Sequence, residues 1–149
     1  KLASEHGAIC HFLGLIPHAE VRAQMAAHDL VLVPSRHEYP EGLPNTIYEG
    51  LASRTPLIIS DHPAFAGRIK EGEVCLSFPA GDVASLADTI ARLGEDTALY
   101  TQLSQAAPEA LAGLYVGGEW TDLIDCFLRD PTNEEGWLAA RSLAGLGIS

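Results

Sequence analysis

The chain has 149 residues, 47% of them hydrophobic and 19% charged, with nine Lys and Arg against twenty Asp and Glu for a formal net charge of −11. That length suits one compact domain with its own core, and the apolar content excludes intrinsic disorder. The acidic balance argues against a nucleic-acid partner, which needs a basic footprint to neutralise phosphates, and no apolar run approaches the ~18 residues of a membrane-spanning helix.

In chain order, AICHFL (8–13) is an apolar run closed by Gly14 and predicts a buried strand. After Pro17 and His18, the segment EVRAQMAAH places Val21, Met25 and His28 at helical spacing. Asp29 then opens LVLVP, four apolar residues in succession, the pattern of a strand buried on both faces. RHEYPEGLP (36–44) is a loop, with two prolines and a glycine in nine residues, and a helical pattern resumes from Asn45 to about Ser53. PLIIS (56–60) predicts a second buried strand, HPAF a turn or a short helix, and GEVCLSF (72–78) a third strand.

DVASLADTIARL (82–93) predicts an amphipathic helix with Leu86, Ile90 and Leu93 on one face and Asp82 or Ser85 near its start. Beyond Glu95 the pattern is helical only, over 95–112, 119–129 and more weakly 134–145, with Pro131 and Asn133 breaking the chain before the last. Strands alternating with helices, each strand continuously apolar, imply an α/β fold: a Rossmann-like parallel sheet covered by helices, with a helical tail. Residues 1–130 form the sheet-bearing unit and 131–149 the end of the tail. Ligands of such folds bind at the carboxyl ends of strands, which directs attention to loops 34–46 and 60–68.

The charge is uneven along the chain. Residues 1–70 hold six basic and seven acidic side chains, and residues 71–149 hold three and thirteen. An anionic ligand therefore fits the first half better, with the second half a solvated acidic flank. Cys10, Cys75 and Cys126 form no C-x-x-C pair and read as free thiols in a reducing compartment, and the six scattered histidines suggest no metal. The chain starts at Lys1 without a signal-peptide pattern, and reads as a piece of something longer.

The stretch PSRHEYPEGLPNTIYE (34–49) carries the chemistry. A strand ends at Pro34, and a helix begins near Pro44, a residue favoured at the first helical position. Gly42 allows close backbone approach to a ligand. The amides of Leu43, Asn45 and Thr46 are first-turn donors which, with the helix dipole, suit a phosphate. Glu49, four residues after Asn45, lies opposite the buried Ile47 and Leu51, near the strand ends, where its carboxylate can accept from vicinal hydroxyls such as those of a ribose. Glu41 sits at the mouth of the same loop. Arg36 is a candidate phosphate partner or a surface ion pair, and His37 a candidate ligand contact. Asp61 and His62, which follow a strand in SDHPAF, read as turn residues ahead of a sugar contact. Arg54 reads as a helix cap ahead of an acceptor contact.

Glu41 and Glu49 enclose seven residues, an E-x7-E arrangement. With DLVLVPSRHEYPEGLPNTIYEGLA running into TPLIISDHPAF, it resembles the nucleotide-sugar-binding core of glycosyltransferase family 4 and its GT-B relatives. HFLGLIP…MAAHDL before it and CLSFPAGDVASLADTIARL after it extend the resemblance over roughly residues 8–130. It implies the C-terminal, donor-binding half of a bacterial-style retaining enzyme of polysaccharide or glycolipid assembly. Such an enzyme transfers a sugar from a UDP- or GDP-sugar to a saccharide or lipid-linked acceptor and requires no metal or other cofactor. Under the resemblance, Glu49 binds the ribose hydroxyls, while Gly42, Leu43, Pro44, Asn45 and Thr46 lie against the diphosphate, Pro44 only shaping the turn. Glu41 contacts the transferred sugar or supports its developing positive charge.

The phosphate-gripping Arg and Lys of the family, and the residues of its N-terminal domain, have no counterpart in this sequence, so the piece alone is expected to be inactive. Lacking the first strands of its sheet, it is expected to re-pair the 8–13 strand or to fill an open edge with another chain. The implied location is cytoplasmic, with peripheral attachment at the inner face of a membrane as an option. The competing reading is a non-catalytic Rossmann-like interaction or regulatory domain. A flavodoxin-like or receiver domain is weaker, since IPHAE offers neither an acidic cluster nor a flavin-phosphate loop.

Overall fold

Three short, largely apolar segments make the centre of the molecule, because a strand buried on both faces leaves little room for polar side chains, and the polar residues admitted are the small Ser60 and Ser77. The computed structural model describes residues 10–115, 117–133, 136–142 and 145. The strands are β1 (Val31–Val33), β2 (Leu57–Ser60) and β3 (Cys75–Phe78), all parallel, in the spatial order β1-β2-β3. The register aligns Val31 with Leu57 and Cys75, and Leu32 with Ile58 and Leu76. The helices are α1 (His18–Ala26), α2 (Asn45–Ser53), α3 (Val83–Glu95), α4 (Thr97–Gly113), α5 (Trp120–Arg129) and α6 (Trp137–Arg141).

Alternation along the strands divides the core in two. Val31, Val33, Leu57, Ile59 and Cys75 point to one face, where Ile47 and Leu51 of α2, Phe65 and Ile69 of the following loop, and Ala107 of α4 cover them, with Met25 of α1 at the margin. Ile58, Leu76 and Phe78 point to the other face, against Leu93 of α3 and Leu103 of α4, flanked by Leu86 and Tyr100. Burying each such side chain contributes roughly 1.5–3 kcal/mol. Helix α4 contributes to both clusters, Leu103 to one and Ala107 to the other. Close approach of α2 to the sheet depends on Gly50, where an added Cβ would run into the buried Leu57 side chain.

Local chemistry sets the helix ends. Asp82 caps α3 by accepting from the Ser85 N–H at 3.0 Å, and Asp96 caps α4 from Leu99 at 2.9 Å. Arg54 ends α2 in the left-handed conformation, φ 61°, its N–H returned to the Gly50 and Leu51 carbonyls. It is a cap, and a β-carbon there carries strain that glycine would not.

Two expectations change. Residues 10–13 of the apolar run 8–13 are not a strand: Phe12 and Leu13 are 66% and 59% exposed, and residues 8 and 9 lie outside the described ones. An apolar run makes a strand only where a neighbour supplies the ladder. Pro44 is the residue before the first helical position, with ψ 148° still extended, and Asn45 is first. The HPAF region forms turns, the first of the two forms expected of it. On the apolar face of α3 Leu93 is buried, while Ile90 is 38% exposed. Of the helix expected over 134–145, α6 covers the middle, and residues 134, 135, 143 and 144 lie outside the described ones.

Candidate functional site

Parallel strands deliver their carboxyl ends to one rim, and three loops meet there: 34–44 after β1, 61–74 after β2 and 79–82 after β3. The first of them leads into α2. No side chain caps the start of α2 and no acidic residue occupies its first turn. Ile47 N–H reaches the Pro44 carbonyl at 2.9 Å, whereas Asn45 and Thr46 are first-turn donors beyond the reach of the helix's own carbonyls. An uncapped helix start with no acidic residue in its first turn is suited to an anion. Gly42 is exposed, and a Cβ built there would meet nothing within 4 Å. Leu43 turns its side chain into the core cluster under β1 and β2, which pins the backbone just ahead of the helix.

The two glutamates differ. Glu49 is mostly shielded, its side chain 20% exposed, and its Oε1 lies 2.9 Å from Nε2 of His18, the first residue of α1. Glu41 has one carboxylate oxygen, Oε2, buried without a hydrogen-bond partner. Buried acceptors are nearly always satisfied, because leaving one unmet costs about 1–3 kcal/mol or more for a charged group. Arg36 faces Glu38 at 3.7 Å in an exposed pair, worth under ~1 kcal/mol. His37 turns toward the next loop, its Nε2–H donating to Oδ1 of Asp61 at 2.8 Å and to the Asp61 carbonyl at 3.1 Å.

Asp61 is a junction. Its Oδ1 also accepts the Ala80 N–H at 2.8 Å. That N–H foremost, and then the His37 imidazole, hold the carboxyl below its ordinary value of 3.8 against an opposing desolvation. His62 is 5% exposed, donates Nε2–H to the Tyr39 carbonyl at 3.0 Å and accepts the Ala64 N–H on Nδ1 at 3.2 Å. Its ring stands edge-on to that of His37, centroids 6.2 Å apart, and 5.1 Å from that of Phe65. Ser60 donates to the Ser35 carbonyl at 2.7 Å. A cavity of about 390 Å³ opens beside this junction, walled by Ile59, Phe65, Ile69 and Cys75. Burial, followed by the Glu71 charge, pushes the Cys75 thiol up to about 12, far from a reactive thiolate at neutral pH.

Sequence reasoning singled out the loop and both glutamates, and assigned turn roles to Asp61 and His62; His62 holds a turn through the Ala64 N–H, whereas the side-chain bonds of Asp61 run to the two neighbouring loops. It missed His18 and Ser60. A histidine following proline at a helix start carries no signal that it will meet a carboxylate 31 positions later. Among the described residues no cluster of three or more His, Cys, Asp or Glu could hold a metal ion, and no helix is long and apolar enough to cross a membrane.

The family model of glycosyl transferases group 1 matches residues 1–110, spanning the sheet, the loop and both glutamates. The chain belongs to that family. It is 32% identical over 114 residues to a phosphatidyl-myo-inositol mannosyltransferase of Mycobacterium leprae, an alignment covering 74% of this chain and 30% of that protein. Among solved structures it is similar to a sucrose-phosphate synthase of Thermosynechococcus elongatus, with a TM-score of 0.69 and 26% identity over 93% of this chain and 33% of that one. The C-terminal domain of a group 1 glycosyl transferase of Francisella tularensis superposes with a TM-score of 0.62 at 22% identity, covering 76% of this chain and 58% of that domain, a likeness of fold. The Rossmann-like sheet is thus that of GT-B glycosyltransferases, and the chain spans about a third of the length of the mannosyltransferase and the synthase.

Proposed function

We propose that this group 1 chain is the donor-binding part of a retaining glycosyltransferase of the family 4 kind, which moves a sugar from a UDP- or GDP-sugar to a saccharide or lipid-linked acceptor. In this reading the diphosphate lies against the backbone at Gly42, Leu43, Asn45 and Thr46, with Pro44 shaping the turn, and the α2 dipole stabilises its charge. Glu49 accepts from the ribose hydroxyls, exchanging or sharing the His18 contact. Glu41, first carboxylate of the E-x7-E pair, faces the transferred sugar. There its negative charge stabilises the cationic character that develops at the anomeric carbon as the bond to phosphate breaks. Arg36 and His37 stand at the rim. The metal requirement is nil because amides and the helix dipole take the leaving charge. The rest of the active site comes from a second, N-terminal domain, and the enzyme works in the cytoplasm or against the inner face of a membrane.

The observation that supports this reading most directly is the Glu41 carboxylate, buried on one oxygen with no protein donor, at the start of an uncapped helix on the carboxyl rim of a parallel sheet. A sugar hydroxyl is the kind of donor such an oxygen accepts. The test is to titrate UDP, GDP and ADP separately into the intact protein. One diphosphate is expected to bind, with Glu49→Ala weakening it by about tenfold or more. Glu41→Gln is expected to lower turnover by ~100-fold while changing nucleotide affinity far less. Silence with all three nucleotides would sink the transferase reading.

The second reading, a non-catalytic interaction domain, draws on the His18–Glu49 contact, since a carboxylate already paired with a helix start can be purely structural. It makes Glu49→Ala a stability variant with no nucleotide binding to lose.

A further inference from the structure

The loop that carries Glu41 has little to hold it from within. Among the described residues its internal support is one turn bond, Tyr39 N–H to the Arg36 carbonyl at 3.0 Å, and the exposed Arg36–Glu38 pair. Its position is fixed from outside, by three consecutive residues at the end of β2. Ser60 Oγ–H donates to the Ser35 carbonyl, Asp61 accepts the His37 Nε2–H twice over, and His62 Nε2–H donates to the Tyr39 carbonyl. The contacts therefore fall on residues 35, 37 and 39 of the loop, the last only two positions before Glu41. Asp61 extends the clasp to the third loop through the Ala80 N–H.

His62 is the anchor least able to move. It is nearly buried, packed against Phe65, and both ring nitrogens are engaged: Nδ1 holds its own turn through Ala64, and Nε2–H reaches across to the neighbouring loop. This division of labour separates a local role from a positioning role within one side chain.

We infer that Ser60, Asp61 and His62 are positioning residues for the donor site, with His62 the principal one, setting the backbone of 35–41 and thereby the placement of Glu41 and the amides that follow it. They act through the loop and touch no substrate. The inference rests on the reading of 41–49 as the donor site and adds to it a device in a different strand end.

Two substitutions separate the functions of the two nitrogens. In His62→Gln the amide N–H stands where Nε2–H stood and can still reach the Tyr39 carbonyl. In His62→Asn the side-chain oxygen stands where Nδ1 stood, keeping the Ala64 turn and losing the reach to Tyr39. In the intact protein, with UDP, GDP and ADP as probes, His62→Asn is expected to weaken binding of the recognised diphosphate about tenfold, the size of one hydrogen bond, and His62→Gln to stay within about twofold of the parent. His62→Asn also loses one hydrogen bond of the folded state and is expected to unfold at a slightly lower temperature, so both variants are titrated well below their midpoints, where a merely structural role leaves the two affinities alike. Should His62→Asn not fold, Ser60→Ala asks the same question at the Ser35 carbonyl, with a loss of about threefold expected from a neutral hydrogen bond.

Equal affinity of His62→Asn, or of Ser60→Ala in its place, and the parent overturns the inference while leaving the donor site standing, provided Glu49→Ala still weakens binding. Absence of binding by all three diphosphates in the parent protein overturns the donor-site reading itself, and the positioning role falls with it.

Discussion

The sheet with its two covers and the helix α5 are both built from clear apolar patterns, and they end in opposite states. Every strand residue of β2 is buried, and helices close over both faces of the sheet. Helix α5 carries Trp120, Ile124, Phe127 and Leu128 at one-turn spacings, yet Trp120 is 73% and Phe127 56% exposed, and of its ten residues Cys126 alone is buried. Its ends are well made, with a reciprocal Glu119–Asp122 capping box. The difference teaches that periodicity reports the capacity to bury a face, whereas burial requires an opposing surface. The sheet has one on each side, because α2 and α3 follow their strands directly and α4 reaches both clusters.

The sharpest way to break that contrast is to truncate one residue in each region. Ile58→Ala removes a fully buried side chain from the middle strand and is expected to cost about 2–5 kcal/mol in urea unfolding. Phe127→Ala is expected to fall within about 0.5 kcal/mol of the parent. Comparable losses at the two positions would mean that α5 is packed as firmly as the sheet. Arg54→Gly sharpens the comparison from the other direction, since it relieves a left-handed residue at the end of the helix that covers β1 and β2. It is expected to stabilise by about 0.5–1 kcal/mol, read as a raised unfolding midpoint.

A smaller effect concerns the rim. Asp61 has a lowered carboxyl pKa in the folded chain, so its contribution to stability is present above the ordinary value of 3.8 and disappears as the pH falls through the lowered one. Asp61→Asn should therefore be less stable than the parent at about pH 7 by a modest margin that narrows as the pH is lowered below 3.8, measured by urea unfolding at each pH. A gap that persists in acid would place the contribution of Asp61 in the neutral geometry of its hydrogen bonds.

Much of the fold was legible because its signals are local. LVLV, PLII and CLSF are strands whose apolar continuity admits few alternatives once helices follow them, and Asp82 and Asp96 mark helix starts by a side chain's reach of three residues. The loop 34–49 was legible for the same reason: proline, glycine and a helix start occur together, and the two glutamates stand at a fixed interval. What failed was the run from Cys10 to Leu13, which has a strand's composition and no ladder partner among the described residues. How far Ile90 is covered was not legible, because that depends on where α4 lies rather than on its own spacing.

The sequence by itself determined the alternation of strands and helices, the parallel class of the sheet and the loop and helix start that carry Glu41 and Glu49, because hydrophobic period, turn chemistry and capping act over a few residues. Only the tertiary structure decided that Glu49 meets His18, that Glu41 keeps one buried oxygen without a protein donor, and that Ser60, Asp61 and His62 clasp a loop more than twenty positions earlier. Those contacts join strand ends that parallel pairing brings to one rim, and no local propensity encodes a distance across that rim.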